Sequence, residues 1–193
     1  MTTDPNEEDR RLAIAAGTGD RYAFEQLVMR HKAALYRLAR RYVGDADEAY
    51  DIVQETFVST WLSLRRFDPH QSFGGWLRTI ALNKCRDHGR RRTVRRRMLS
   101  LFALEEASST KSAESESERE RDALALRRIQ LLDQAIADLP RLYKEPLLLT
   151  TVGGLTQQEA AAQLNTTTKA IEMRIRRARM RLREACGGEP GAP

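Results

Sequence analysis

The sequence has few cysteines and no long apolar run, and these absences exclude several classes of protein. Its two cysteines, Cys85 and Cys186, lie far apart, and neither belongs to a C-x-x-C pair. A disulfide scaffold and a zinc knuckle are therefore not indicated, and a reducing cytoplasm fits best. The segment from Met1 to Arg11 is polar and acidic with no apolar core, and no stretch is long enough to span a bilayer. We expect a soluble, cytoplasmic protein without membrane insertion.

Motifs for catalysis are also missing. The chain has no H-E-x-x-H, no glycine-rich phosphate loop and no nucleophile elbow. Its three histidines, His31, His70 and His88, are scattered, and His31 continues an apolar stripe, which favours a core position over a ligand role. We predict that the protein is not an enzyme and that it uses no cofactor and no metal.

Basic residues exceed acidic ones only modestly, by 33 to 27, for a net charge of +6. This excess suits an anionic partner, although plain solubility could also explain it. The distribution is more informative, because arginine is concentrated in two blocks and the segment between them is acidic.

Apolar residues recur at three- and four-residue steps in three segments of the N-terminal half, which is the spacing of helices that bury one face. The stripes run over 24–42, 49–64 and 73–85, with Asp20 as the expected N-cap of the first and with Gly44-Asp45 and Asp68-Pro69 as the interruptions. Three helices with short connections predict one bundle.

The segment between about residues 108 and 120 has almost no apolar residues and is rich in serine and glutamate. Such a composition cannot offset its own ordering entropy, so we expect a flexible linker. Helical periodicity resumes at Leu124, and no alternating strand pattern of useful length occurs. We predict an all-α fold with two small helical domains, 1–98 and 123–193, joined by a flexible acidic linker over 99–122. A short disordered tail ends the second domain.

A helix-turn-helix is predicted in the second domain. Thr156 and Glu159 form a capping-box pattern before an alanine-rich helix of about 157–164, and Thr167 is the expected N-cap of a longer helix after a turn at Asn165. The second helix has an apolar face of Ile171, Ile175, Ala178 and Leu182, and its other face is strongly basic: Lys169, Arg174, Arg176, Arg177, Arg179, Arg181 and Arg183, opposed by Glu172 and Glu184. A solvated basic helix is the alternative, but the preceding capped helix and turn favour DNA binding.

Aromatic residues make up only 6% of the chain, yet five of them precede the third helix: Phe57, Trp61, Phe67, Phe73 and Trp76. That helix has a polar face of Thr79, Asn83, Arg86 and Arg90. Aromatic rings stack on unpaired bases, at about 1–3 kcal/mol per base, while arginines hold the backbone. We expect Phe57, Trp61 and Trp76 to be core residues, and the loop from Phe67 to Ser72 to be the better candidate for contact with a separated strand.

The second of the three helices predicted in the N-terminal half carries Glu48, Asp51 and Glu55 at three- and four-residue steps, with Gln54 beside them. From the spacing alone, this acidic ridge is either a solvated face or a docking surface for a basic partner helix.

These residues carry a resemblance to a known family. The run Asp51-Ile52-Val53-Gln54-Glu55-Thr56-Phe57, followed by Trp61, Phe67-Asp68-Pro69, Phe73, Trp76-Leu77, Ile80-Ala81, Asn83 and Arg90-Arg91-Arg92, resembles region two of the extracytoplasmic-function sigma factors of bacterial RNA polymerase. Leu139-Pro140, Gly154-Leu155-Thr156, Glu159-Ala160-Ala161 and Arg177-Ala178-Arg179 resemble region four. The resemblance covers the chain from Phe24 to Arg183.

The resemblance implies an alternative sigma factor that recruits core polymerase to promoters and starts DNA melting. Asp51, Gln54 and Glu55 would dock on the clamp helices of the largest subunit, and region four would contact the flap region. The implied minus-ten contacts are Phe67, Ser72, Phe73, Asn83, Arg86 and Arg90, and the implied minus-thirty-five contacts are Lys169, Glu172, Met173, Arg174, Arg176 and Arg177. An anti-sigma factor is an expected partner. A stand-alone helix-turn-helix regulator is the alternative function.

Three residues depart from the family pattern. Glu172 stands where a basic or small polar residue is common, so it could accept from cytosine or repel phosphate. Pro146 falls inside the expected first helix of region four, where proline costs about 3 kcal/mol, so that helix should kink or begin later. Tyr50 replaces an acidic residue beside Asp51. The linker is expected to thread a basic channel of the polymerase, and a mere tether is the competing view.

Overall fold

A computed structural model describes the backbone of residues 5–102 and 118–187, and the side chains of 6–91, 127 and 129–187. These residues form eight α-helices and no strand, which confirms the all-α prediction. None of the described helices is both apolar enough and long enough to cross a membrane. The helices are α1 Pro5–Gly17, α2 Arg21–Val43, α3 Ala46–Ser63, α4 Phe73–Phe102, α5 Glu118–Asp138, α6 Arg141–Thr151, α7 Gln157–Gln163 and α8 Thr168–Ala185, with a 3-10 turn at Leu64–Arg66.

The first helix, α1, is one that the sequence pattern did not predict. Its small apolar side chains Ala13 and Ala16 are buried against the bundle. Asp9 of α1 is also buried, and its carboxylate forms an ion pair with Arg30, with Nε at 2.9 Å, and lies 2.7 Å from His31 Nε2. The helix is therefore attached to α2 by packing and by charge, and His31 is half-buried in a polar contact.

Helices α2, α3 and α4 form the predicted bundle, with the predicted local signals at their ends. Asp20 accepts from the Ala23 amide at 3.1 Å, which confirms it as the N-cap of α2. Gly44 ends α2 with φ of 81°, and Asp45 caps α3. The largest fully buried side chains of this N-terminal module are Phe73, Leu27, Leu38, Ile52, Leu77 and Leu82.

The fourth helix continues to Phe102, and α5 begins at Glu118. Residues 99–102 and 118–122 of the expected linker therefore have helical backbone. Residues 103–117 lie outside the described part of the chain, so the flexible acidic linker stays a prediction, as does the disordered tail over 188–193.

Helices α5 to α8 form a C-terminal module with its own core, which includes Leu148, Leu149, Ile171 and Ala178. Pro146 lies inside α6 and is fully buried, and the helix runs through it to Thr151. The expectation that the helix begins later is therefore wrong. The loss of one backbone hydrogen bond at proline is outweighed here by burial of the apolar residues around it.

The two modules are in contact, because α5 and α6 pack against α2. Arg41 Nε lies 3.5 Å from Asp133 Oδ1 across this contact. Gly44 is tightly constrained there, since a Cβ on it would lie 2.9 Å from the Ala137 Cβ and its φ is left-handed. The sequence pattern gave no indication of this contact.

Candidate nucleic-acid and partner surfaces

Three residues of the acidic ridge predicted from sequence, Asp51, Gln54 and Glu55, are exposed on α3, and the name is kept below for these three. Glu55 Oε2 lies 3.5 Å from Lys84 Nζ of α4, whereas Glu48 is half-buried and lies 3.5 Å from His88 Nδ1. Two exposed apolar residues, Val58 (60% exposed) and Leu62 (77%), lie on the same helix face next to the ridge. The sequence pattern did not indicate them. An acidic surface with an apolar extension suits a basic helix that also offers apolar side chains.

The aromatic cluster before α4 is more deeply buried than expected. Phe67 is 8% and Phe73 1% exposed, and their ring centroids lie 5.6 Å apart in an edge-to-face arrangement. The Trp76 ring packs on both, with centroids 5.1 Å from Phe67 and 6.0 Å from Phe73. Neither ring is exposed in this conformation, whereas the loop 68–72 between them is, and Phe67 and Phe73 stay predicted minus-ten contacts.

The expectation that other aromatics are core residues holds for Phe57, which is buried. Trp61 and Trp76 are half-buried at the edge of the core, and the Trp61 ring packs on Phe24 at 4.9 Å.

Ser72, at the end of the exposed loop, is held by the helix that the sequence reading missed. Its hydroxyl donates to Asn6 Oδ1 of α1 at 3.2 Å and accepts from the Gly75 amide at 3.4 Å. Asn6 is therefore a second polar residue at the loop, beside the one expected from sequence.

The polar face of α4, which we call the α4 face, consists of Thr79, Asn83 and Arg86 at four- and three-residue steps. Arg86 Nη1 donates to Asn83 Oδ1 at 2.8 Å, while Arg86 Nε and Nη2 donate to the two carboxylate oxygens of Glu145 at 2.8 and 2.7 Å. Arg90 is exposed and pairs with Asp87. The sequence-predicted residues of this face thus lie together, but the C-terminal module covers part of them.

Glu145 of α6 is the centre of the module contact and is only 4% exposed. Besides Arg86, its Oε1 accepts from the Tyr42 hydroxyl at 3.1 Å and forms an ion pair with Arg141, whose Nε lies 2.9 Å away. Burial and the nearby Glu145 carboxylate raise the pKa of Tyr42 far above its usual range and raise the pKa of Cys85 to about 12. The hydrogen bond to Glu145 raises the pKa of Arg86.

Sequence reasoning missed Glu145 as an interface residue. A usable signal was present, since the charged residues Lys144 and Glu145 directly precede the apolar run 146–149 of the same helix, and both are buried. Charged residues at such positions need partners from elsewhere in the fold.

The helix-turn-helix has the predicted caps. Thr156 Oγ1 accepts from the Glu159 amide at 3.2 Å, and Glu159 Oε2 accepts from the Thr156 amide at 2.8 Å, so the capping box is confirmed. These hydrogen bonds from Thr156 lower the pKa of Glu159. Asn165 takes the left-handed turn conformation with φ of 49°, and Thr167 accepts from the Ala170 amide at 3.2 Å. The two helices α7 and α8 are thus joined by a tight turn.

The outer face of α8, which we call the α8 face, consists of the six residues predicted from sequence: Lys169, Glu172, Met173, Arg174, Arg176 and Arg177. Five are exposed, and Arg174 is half-buried. Ile171, Ile175 and Ala178 are buried on the opposite side, as predicted. Within the described residues, no carboxylate forms an ion pair with Arg176 or Arg177, so their guanidinium groups are available to an anionic partner.

A metal centre is not indicated in the part of the chain that the structure describes, where no group of three His, Cys, Asp or Glu side chains is placed to bind an ion.

Comparison with known proteins matches the two modules to two regions of one protein family. The sigma-70 region 2 family model matches residues 27–95, and the sigma-70 region 4 model matches 129–182. The chain is 38% identical to RNA polymerase sigma factor NccH of Alcaligenes xylosoxydans xylosoxydans over 180 residues, which covers 93% of this chain and 95% of the relative.

Solved structures are similar over both modules. One is CnrH in complex with the cytosolic domain of CnrY, with a TM-score of 0.67, 35% identity and coverage of 92% of this chain and 96% of that one. Another is the sigma factor RpoE in complex with the anti-sigma factor NepR from Bartonella quintana, with a TM-score of 0.63, 25% identity and coverage of 86% and 98%.

Proposed function

The chain belongs to the extracytoplasmic-function group of the sigma-70 family, and from this premise we propose which of its residues bind core polymerase and the two promoter elements. As an alternative sigma factor it directs core RNA polymerase to promoters, recognises their minus-thirty-five and minus-ten elements and initiates melting. The stand-alone regulator finds no support, since the matches include region two as well as region four. The observation that carries the assignment of residues is the separation of an exposed acidic ridge on α3 from an exposed arginine surface on α8.

The acidic ridge is the proposed polymerase contact. Asp51, Gln54 and Glu55 dock on the clamp helices of the largest subunit, and their exposure makes them accessible to a basic partner. Val58 and Leu62 extend this contact with apolar area. Such an arrangement gives charge complementarity for encounter and an apolar part for a slower dissociation.

The minus-ten strand is the proposed ligand of the α4 face and of the loop before it. Ser72, Asn83, Arg86 and Arg90 supply polar and basic contacts to bases and phosphates, in keeping with single-stranded recognition. Phe67 and Phe73 flank this loop, and they hold its two ends in place because both rings are buried.

The minus-thirty-five duplex is the proposed ligand of the α8 face. Its six residues lie in the first half of the second helix of a helix-turn-helix, where major-groove contacts are made. Arginine can bind guanine through two parallel hydrogen bonds, and Glu172 can accept from cytosine.

Partners and location follow from the same family. CnrH and RpoE were each solved bound to another protein, the cytosolic domain of CnrY and the anti-sigma factor NepR. We propose that an anti-sigma factor likewise regulates this chain, and that the chain works in the cytoplasm, where its polymerase is. It carries out no chemistry of its own.

The test is binding of the full chain to core polymerase by co-purification. Reversing the ridge with Asp51→Lys and Glu55→Lys should abolish binding, because the docking surface then repels basic clamp helices. Glu25→Lys with Glu184→Lys makes the same charge change at exposed positions away from the ridge and should bind normally. Equal binding by both double variants would refute the docking assignment, and failure of the unaltered chain to bind polymerase would refute the function.

A further inference from the structure

Helix α1 contacts the chain on both sides of the exposed loop 68–72. Before the loop, Gly17 lies against the 3-10 turn, since a Cβ on it would lie 3.4 Å from the Leu64 carbonyl oxygen. At the end of the loop, the Ser72 hydroxyl donates to Asn6 Oδ1 at 3.2 Å. Asn6 and Gly17 lie near opposite ends of α1, about 16 Å apart along the helix. One helix therefore holds the chain at both ends of the loop.

We infer that α1 is a positioning element for the loop 68–72, and that its residues Asn6 and Asp9 set how sharply the chain discriminates between minus-ten bases. Neither residue is proposed to touch DNA. Asn6 acts through Ser72, and Asp9 acts through a histidine of α2. The inference rests on the minus-ten role proposed above for Ser72 and its loop.

The bond from Ser72 to Asn6 determines where the loop lies against the bundle. Asp68 closes a local turn, because its side chain accepts from the His70 amide at 2.9 Å and its carbonyl accepts from the Gln71 amide at 3.1 Å. Such a turn shapes the loop but does not place it relative to the neighbouring helices. The loop residues are all exposed, so little packing holds them. A hydrogen bond to α1 can therefore decide which loop position is populated.

Asp9 supports the loop from about one helical turn further along α1. Its carboxylate lies 2.7 Å from His31 Nε2, and the His31 ring packs on the Phe73 ring with centroids 5.5 Å apart. Phe73 directly follows the loop. The imidazole also lies against the start of α4, since a Cβ on Gly74 would be 3.6 Å from His31 Cε1. The carboxylate therefore orients the ring against which the end of the loop is anchored.

Ion pairs fix α1 on α2 in one register. Asp9 is 6% exposed and pairs with Arg30 Nε at 2.9 Å, and Glu8 pairs with Arg30 Nη1 at 2.8 Å. The desolvation cost of a buried carboxylate offsets much of its attraction, so we expect Asp9 to contribute more to geometry than to stability. Glu7 instead pairs with Arg10 of the same helix at 2.9 Å. That pair does not join α1 to α2, which makes Glu7 a matched control.

The measurement is run-off transcription by core polymerase reconstituted with the full chain. It uses a promoter at which the unaltered chain initiates, together with derivatives that carry single changes in the minus-ten element. The quantity compared is the discrimination ratio, which is transcription from the parent promoter divided by transcription from each derivative. Loss of folded protein lowers transcription from every promoter alike and leaves this ratio unchanged, whereas a displaced loop lowers it.

Asn6→Ala and Asp9→Asn should each lower the discrimination ratio at least about threefold at the positions that the loop reads, because misplaced groups lose their hydrogen bonds to the strand. Neither variant should weaken co-purification with core polymerase, since the acidic ridge is unchanged. Glu7→Gln removes the same charge as Asp9→Asn from the same helix and should keep the ratio. Adding Asn6→Ala to Ser72→Ala should lower the ratio no further, because residues that act through one bond are not additive.

Unchanged ratios in both Asn6→Ala and Asp9→Asn would overturn the inference, and so would an equal loss in Glu7→Gln. A further loss on adding Asn6→Ala to Ser72→Ala would also overturn it, since Asn6 would not act through that bond. A failure of the proposed function has a different signature, because Ser72→Ala alone would then keep the ratio. Lower ratios in both α1 variants beside a normal ratio in Glu7→Gln support the inference.

Discussion

The α4 face and the α8 face are both assigned to DNA, yet the chain leaves them in opposite states. Arg176 and Arg177 on α8 are exposed with no carboxylate paired to them in the described residues, whereas Arg86 on α4 is held by a carboxylate that is 4% exposed. An exposed arginine pays only a small desolvation cost when it meets DNA, but Arg86 must first lose Glu145. Under the proposed assignments, the duplex contacts of Arg176 and Arg177 need no exchange of partners within the described residues, whereas the strand contact of Arg86 needs the loss of Glu145.

The largest effect is expected from reversing the charge of the exposed arginines on α8. Arg176→Glu with Arg177→Glu should reduce promoter-specific transcription at least about a hundredfold, because each bidentate base contact contributes about 1–3 kcal/mol and the reversed charges repel phosphate. Run-off transcription with purified core polymerase measures the loss. Arg11→Glu with Arg21→Glu reverses two exposed charges in the N-terminal module and serves as the control. Equal losses in both variants would contradict the specific role of α8.

The two cysteines should differ in thiol reactivity, because Cys85 lies in a covered region and Cys186 in an open one. Cys85 is buried beside the module contact with its pKa raised to about 12, mainly by burial, whereas Cys186 is exposed after α8. At pH 8 the thiolate fraction of Cys85 is roughly a thousandfold below that of an ordinary thiol with a pKa of about 8.5. Iodoacetamide should modify Cys186 first, as mass spectrometry of the intact and digested chain would show.

The controls for thiol labelling use denaturant and the module contact. In strong denaturant both cysteines should react at similar rates, because burial no longer raises the pKa of Cys85. Glu145→Lys should accelerate labelling of Cys85 in the folded chain, since it removes a neighbouring carboxylate and opens the contact. Native labelling of both thiols at one rate would show that the region around Cys85 is not closed.

A smaller effect is expected in the polymerase complex from removing Arg86, the arginine on α4 that pairs with Glu145. Arg86→Ala should weaken promoter opening by roughly tenfold to a hundredfold, because hydrogen bonds to charged groups contribute about 1.5–3 kcal/mol. The salt dependence of binding should fall by about one phosphate contact. Permanganate reactivity of unpaired thymines reports opening, and Arg86→Lys should restore part of it because the charge remains. Arg37→Ala, at an exposed position of α2, is expected to open promoters normally.

The difference between the two faces also separates what sequence can predict from what it cannot. The caps at Asp20, Thr156 and Thr167 and the apolar stripe of α8 depend on residues within a few positions of one another, and all were predicted. The bond from Arg86 to Glu145 joins residues 59 apart, and that from Tyr42 joins residues 103 apart. Such pairs depend on how whole modules pack, which no local pattern encodes.

Three further mismatches have the same kind of cause. Phe67 and Phe73 flank a polar loop, which suggested exposure, but the packing of Trp76 on both rings places them in the core. The apolar side of α1 consists largely of alanines such as Ala13 and Ala16, whose small side chains give a weak periodic signal. Pro146 disfavours a helix locally, yet α6 continues because its apolar neighbours are buried.

The smallest effect is expected from removing the N-cap of α7, the helix that contacts both the α4 face and α8. Thr156 caps α7, whose last residue Gln163 reaches the α4 face, and α7 packs against α8. Thr156→Ala removes the acceptor of the Glu159 amide and should lower the free energy of unfolding by about 1 kcal/mol. Urea denaturation followed by circular dichroism measures it. Thr168→Ala, at an exposed position without a cap bond, should change stability by less than about 0.5 kcal/mol, and equal losses would mean that the cap contributes nothing.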